Sequence, residues 1–135
     1  MSVLMLSLVG GFSLSGAIAA ERLSSPEIQQ QMQALPEWTI NEEQLYCTYE
    51  FSNFVEAVDF VNRMVEPAEA LGHHPDLEIS YNTVTIKLTT HDAGGLTQLD
   101  FDLAQRISQI VESMPSGSGC RSSESIVSIH LSGQI

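Results

Sequence analysis

Three of the four histidines in this 135-residue chain fall within nineteen positions: His73 and His74 side by side, then His91. Imidazole is the side chain whose ordinary pKa lies nearest neutrality, so two of them facing one small molecule can give and take protons without a metal. A metal site is the competing reading of clustered histidines. Adjacent histidines on one backbone segment diverge, however, and neither Cys47 nor Cys120 is spaced as a further ligand, so no metal is expected. Glu69 stands four residues before His73, one helical turn away, where its carboxylate could hold the ring. That carboxylate and a helix C-terminus both favour the imidazolium, which predicts His73 as the better proton donor.

Caps and periodicity indicate the elements that must position these residues. Ser24, Ser25, Pro26 and Glu27 form a helix start, and Ile28, Met32 and Leu35 recur on one face, predicting a first helix to about Leu35. Trp38 and Ile40 alternate with polar neighbours, Asn41 to Glu43 turn the chain, and Leu45 to Phe51 reads as the return strand of a hairpin. From the cap Asn53 the period becomes helical, with Phe54, Val58, Val61, Val65, Ala68 and Leu71 as the expected buried stripe. Pro67 within it predicts a kink, and Gly72 ends it, leaving His73 and His74 on the exit turn.

Leu77, Ile79 and Tyr81, then Val84, Ile86 and Leu88, alternate with polar residues as two antiparallel strands, with Tyr81 expected to pack at the turn's edge. His91 has the parity of Thr85, Lys87 and Thr89, so a regular strand would point it away from the aliphatic core. Thr97 caps a last helix with Asp100 at its third position, and Leu96, Leu99, Leu103, Ile107, Ile110 and Met114 supply its buried stripe. The order α-β-β-α-β-β-α predicts an α+β domain, a four-stranded antiparallel sheet with three helices on one face, over residues 21–114.

Composition restricts the partners. Five Lys and Arg against seventeen Asp and Glu give a formal charge of −12, a field that repels phosphate, so nucleic acid is not expected as a direct partner. Residues 1–20 carry no charged side chain, and Ala17 and Ala19 are spaced as at a signal-peptidase site. A cleaved targeting segment, an extension of no structural consequence and a retained anchor are the readings open for it, and the missing basic region counts against the first. Residues 115–135 open with PSGSG and are rich in serine, which predicts a flexible, dispensable tail. Cys47 reads as a small buried thiol in a strand and Cys120 as an exposed free thiol, with a single bridge as the alternative.

The ordered set Ala68-Glu69, Gly72-His73-His74-Pro75-Asp76, Tyr81-Asn82, Thr90-His91-Asp92, Gly94-Gly95-Leu96-Thr97 and Asp100 with Leu103-Ala104 resembles the pterin-4a-carbinolamine dehydratases, from Ser24 to Met114. The resemblance implies a dehydratase that removes water from 4a-hydroxytetrahydrobiopterin to give quinonoid dihydropterin, with no cofactor. It assigns acid/base work to His73 and His91 and substrate binding to His74, Pro75, Thr90 and Asp92, with Glu69 and Asp100 in support. For Asp100, the helix cap alone is a sufficient local explanation. Gly72 and Pro67 depart from the family's usual pattern without removing a catalytic group. The resemblance also implies a homodimer or homotetramer and, through its pterin substrate, a cytoplasmic location, with export or organelle targeting the alternative if residues 1–20 are cleaved. The competing function is a non-catalytic interaction module on the same fold, a dimerisation cofactor or assembly factor. The intact histidine trio favours catalysis.

Overall fold

A computed structural model of the chain describes residues 19–115, 119 and 120. Its elements are α1 (Ser25–Met32), β1 (Thr39–Asn41), β2 (Gln44–Glu50), α2 (Phe54–Leu71), β3 (Asp76–Ser80), β4 (Thr83–Leu88) and α3 (Gln98–Glu112), with a 3-10 turn over His91–Ala93. Caps fix where the helices begin. The Ser24 N–H donates to Glu27 Oε2 at 2.8 Å, and the Glu56 N–H donates to Asn53 Oδ1 at 2.9 Å. At the end of α2, Gly72 takes a left-handed φ of 58° and the His73 N–H returns to the Ala68 carbonyl.

The strands pair antiparallel in the order β1-β2-β4-β3. Leu45, Cys47 and Tyr49 of β2 lie opposite Leu88, Ile86 and Val84 of β4, and all six are fully buried on one face. Phe60 and Met64 of α2 and Phe101, Leu103 and Ile107 of α3 complete that core. The α+β architecture, a four-stranded antiparallel sheet with three helices, is the one the periodicity predicts. α1 ends at Met32, and Leu35 is buried in the turn that follows.

Several packing expectations need correction. Of the stripe expected on α2, Ala68 is buried but Phe54 and Val65 are exposed, and the helix instead buries Ala57, Phe60, Met64, Pro67 and Ala68. Two apolar stripes lie one residue apart along this helix. Packing selects the one carrying Phe60 and Met64, which bring more surface out of water than the valines do. Leu77 and Ile79 share the face of Ile86 and Val84, but β3 is an edge strand and leaves both about two-fifths exposed. Tyr81 does not pack at its turn: it takes a positive φ of 51° and is 68% exposed.

The cysteines are bonded to each other. Cys47 and Cys120 form a disulfide with Cα atoms 5.5 Å apart, closing 73 positions of sequence. The free thiol expected at Cys120 therefore does not hold, and the bridge ties residue 120 of the tail to β2. Two cysteines so far apart in sequence carry no local signal of pairing; the fold brings them together. The expectations for residues 1–18, 116–118 and 121–135 lie outside the described residues. Among the described residues no helix is long and apolar enough to cross a membrane.

Tyr49 gives the fold a pH dependence. Its ring meets Phe60 edge-on at 5.4 Å, and its buried hydroxyl, beside Ser108 and Trp38, makes no hydrogen bond of ordinary geometry among the described residues. Burial pushes the phenol up to about 12. Between its ordinary value near 10 and that value the folded chain keeps a proton the unfolded chain has lost. Stability therefore falls as pH rises across this window, by about 1.4 kcal/mol per pH unit. Urea unfolding of the parent and Tyr49→Phe at pH 9 and pH 11 checks this: the variant should lose less stability across the interval, and equal losses would refute it.

Candidate functional site

The exit of α2 and the loop after β4 face each other across an open cavity of about 460 Å³. Gly72, His73 and His74 line it from the first, Thr89, Thr90, His91, Asp92 and Ala93 from the second, and Leu99 from α3. Ala19 and Ala20 close a further side. Local backbone explains both histidine placements. The left-handed Gly72 turns the chain off the axis of α2 before His73. After β4 ends at Leu88, Thr90 and Gly95 pair through both backbone groups, pinching the intervening residues into a 3-10 turn that begins at His91. His91 is thus set by this turn rather than by strand parity, and it is exposed on the cavity.

His73 is buried, and its Nε2 lies 2.7 Å from Asp100 Oδ1. Asp100 is fully buried on the first turn of α3, and its Oδ2 accepts the Thr97 N–H and the Thr90 hydroxyl, each at 2.8 Å. Thr90 gives its one hydroxyl proton to Asp100, so the 2.7 Å contact between the Thr90 and Thr97 hydroxyls must have Thr97 as donor. Oδ2 thus takes two donors. A carboxylate can only accept, so the contact at Oδ1 is made by an N–H at Nε2 of His73, and Nδ1 is the ring nitrogen left for a ligand.

Glu69 does not hold His73. Its Oε1 lies 2.7 Å from Nε2 of His74, and both side chains are well exposed. The four-residue spacing that points to His73 assumes a helix continuing to residue 73, and Gly72 ends it one residue too early. Asp100 keeps the capping bond expected of it and is also the partner of His73, a contact between residues 27 apart that local spacing does not reveal. Nε2 of His91 lies 3.7 Å from Asp76 Oδ2, beyond hydrogen-bond distance and in solvent. Pro75, Glu69 and Asp100 lie outside the cavity lining, whereas Ala19 and Ala20 join it without any sequence signal. Among the described residues no group of three or more His, Cys, Asp or Glu is arranged to hold a metal ion.

The sequence model of the family described as pterin 4 alpha carbinolamine dehydratase matches residues 21–110. Over 88 residues, 65% of this chain and 95% of the relative, the chain is 60% identical to a Nostoc punctiforme protein named "Putative pterin-4-alpha-carbinolamine dehydratase". A protein of the same name from Picosynechococcus is 58% identical over 91 residues, 67% of this chain and 99% of its own. Among solved structures, one described as a transcriptional coactivator/pterin dehydratase from Brucella melitensis superposes with a TM-score of 0.64 at 32% identity, covering 67% of this chain and 98% of that one.

Proposed function

The chain belongs to the pterin 4 alpha carbinolamine dehydratase family, and we propose that it removes water from 4a-hydroxytetrahydrobiopterin to give the quinonoid dihydropterin. The observation that carries this reading is the pairing of His73 with Asp100 at the wall of a cavity that His91 also lines. The cavity's volume is within the range of small-molecule sites.

The reaction breaks the C4a–O bond, removes the proton from N5 and forms the C4a=N5 double bond. Asp100 holds His73 with its proton on Nε2, so the Nδ1 lone pair is presented as the base that takes the N5 proton. His91, in solvent and near Asp76, delivers a proton to the departing hydroxyl as imidazolium; it regains one from solvent as His73 releases the N5 proton there, so the net change is the loss of one water. This reverses the donor role that the Glu69 spacing suggests for His73. His74 and Asp92, on the exposed rim, contact the polar edge of the substrate. Thr90 acts through Asp100, because its hydroxyl is already engaged there, and Pro75 fixes the extended path out of the histidine pair.

The test is a dehydration assay on the carbinolamine with the parent chain and Glu69→Ala. The parent should accelerate loss of the 4a-hydroxypterin. Glu69→Ala should stay within about fivefold of it, because an exposed pair contributes at most about 1 kcal/mol. A parent without turnover would overturn the enzyme reading and favour the interaction module. A large loss in Glu69→Ala would overturn the assignment of Asp100, rather than Glu69, as the partner of the working histidine.

A further inference from the structure

Two residues that wall the cavity, Ala19 and Ala20, come from the segment before α1 and precede residue 21, where the family match begins. Three contacts fix this segment. The Leu23 N–H donates to the Leu96 carbonyl at 2.8 Å, across the loop that leads from the cavity into α3. The guanidinium of Arg22 pairs with Glu43. The Arg22 side chain also lies over Gly95, where a Cβ would come within 2.7 Å of its Nε. Gly95 has no positive φ, so what its missing side chain supplies is room for Arg22 rather than backbone freedom. The Arg22–Glu43 pair is more than half exposed and contributes little by itself. The backbone bond and the packing over Gly95 hold the segment.

We propose that residues 19–23 are a strap that completes the binding cavity, with Ala19 and Ala20 as a specificity-determining wall. Their methyl groups extend the apolar part of the lining, which Ala93 and Leu99 supply from the other side, along a rim that otherwise carries histidine, aspartate and threonine. They limit the width left for the hydrocarbon part of a bicyclic ligand, and a larger side chain there removes that width. The choice of a pterin as ligand rests on the function proposed above; the position of the wall does not.

The test uses the full chain with Ala20→Trp and Ala20→Ser. In the ligand-free chain, the ring current of an indole at position 20 should shift the ring-proton signals of at least one cavity histidine, His73, His74 or His91. Calorimetric titration with oxidised biopterin should show Ala20→Trp weakened about tenfold and Ala20→Ser within about twofold, the contrast expected of one overfilled contact. Unshifted histidine signals would overturn the strap. Shifted signals with unchanged affinity would overturn its role in specificity. A parent that binds no pterin would count against the functional reading alone, and the histidine signals would still decide where the wall stands.

Discussion

Asp100→Asn lowers the dehydration rate by about 10²–10⁴-fold while the domain stays folded, the range expected when a positioned general base is lost. The argument rests on where the three donors sit. Oδ2 accepts two of them, the Thr97 N–H and the Thr90 hydroxyl, whereas Oδ1 meets only His73. An asparagine therefore keeps its carbonyl at the Oδ2 position and points its amide at the histidine, since the opposite orientation would set the amide against two donors. Facing a donor, the His73 ring must accept at Nε2 and carry its proton on Nδ1. The cavity then meets an N–H where it met a lone pair, and the ring cannot take the N5 proton. The same inversion of tautomer by an Asp-to-Asn change is a known cause of large losses where an aspartate orients a catalytic histidine.

Asp100 acts through His73 and is a positioning residue, so the test needs a readout that a purely structural role would not move. Nitrogen chemical shifts of the His73 ring should report the proton moving from Nε2 to Nδ1, and the loss should fall on kcat rather than KM. Asp100→Ala is the poorer probe. It strips the cap of α3 and strands the buried Thr97 N–H, at about 1–3 kcal/mol for a lost partner. A rate for Asp100→Asn within about twofold of the parent would return Asp100 to a helix cap and nothing more.

The elements were legible because their signals are local. Ser24, Asn53 and Thr97 cap the helices in the structure as their spacing from Glu27, Glu56 and Asp100 indicates, and alternation located the strands. What sequence did not settle was the rotation of elements and the contacts between them. α2 offers two apolar stripes about 100° apart, and only packing against the sheet chooses between them. His73 misled in the same way: its true partner is on α3, brought near by the packing of α3 on α2. Half of that contact was nonetheless visible, since the cap that fixes Asp100 at the start of α3 also aims its carboxylate at the end of α2. Strand parity could not be carried past Leu88 to His91, because the Thr90–Gly95 pairing resets the direction of the chain.

Cys120→Ser should cost about 4 kcal/mol of stability and leave dehydration at 25 °C near the parent rate. The bridge joins residues 73 positions apart, and cross-linking a loop of that length removes chain entropy from the unfolded state worth about 4 kcal/mol. Against a total stability of roughly 5–15 kcal/mol, that is a large share. Cys120 is the better of the two positions to change. Cys47 is fully buried between β2 and the helices, so a serine there would add a buried hydroxyl to the loss of the cross-link. The variant and the reductant act on the same bond, so urea unfolding of the parent in excess dithiothreitol should match that of Cys120→Ser in plain buffer. The denatured chain without the bridge is also more expanded, which steepens the dependence on urea. Neither cysteine lines the cavity, so activity and stability should separate in this variant. Equal unfolding midpoints with and without reductant would show that the bridge does not constrain the chain, and a parallel loss of activity would show that the tail to residue 120 supports the site as well as the core.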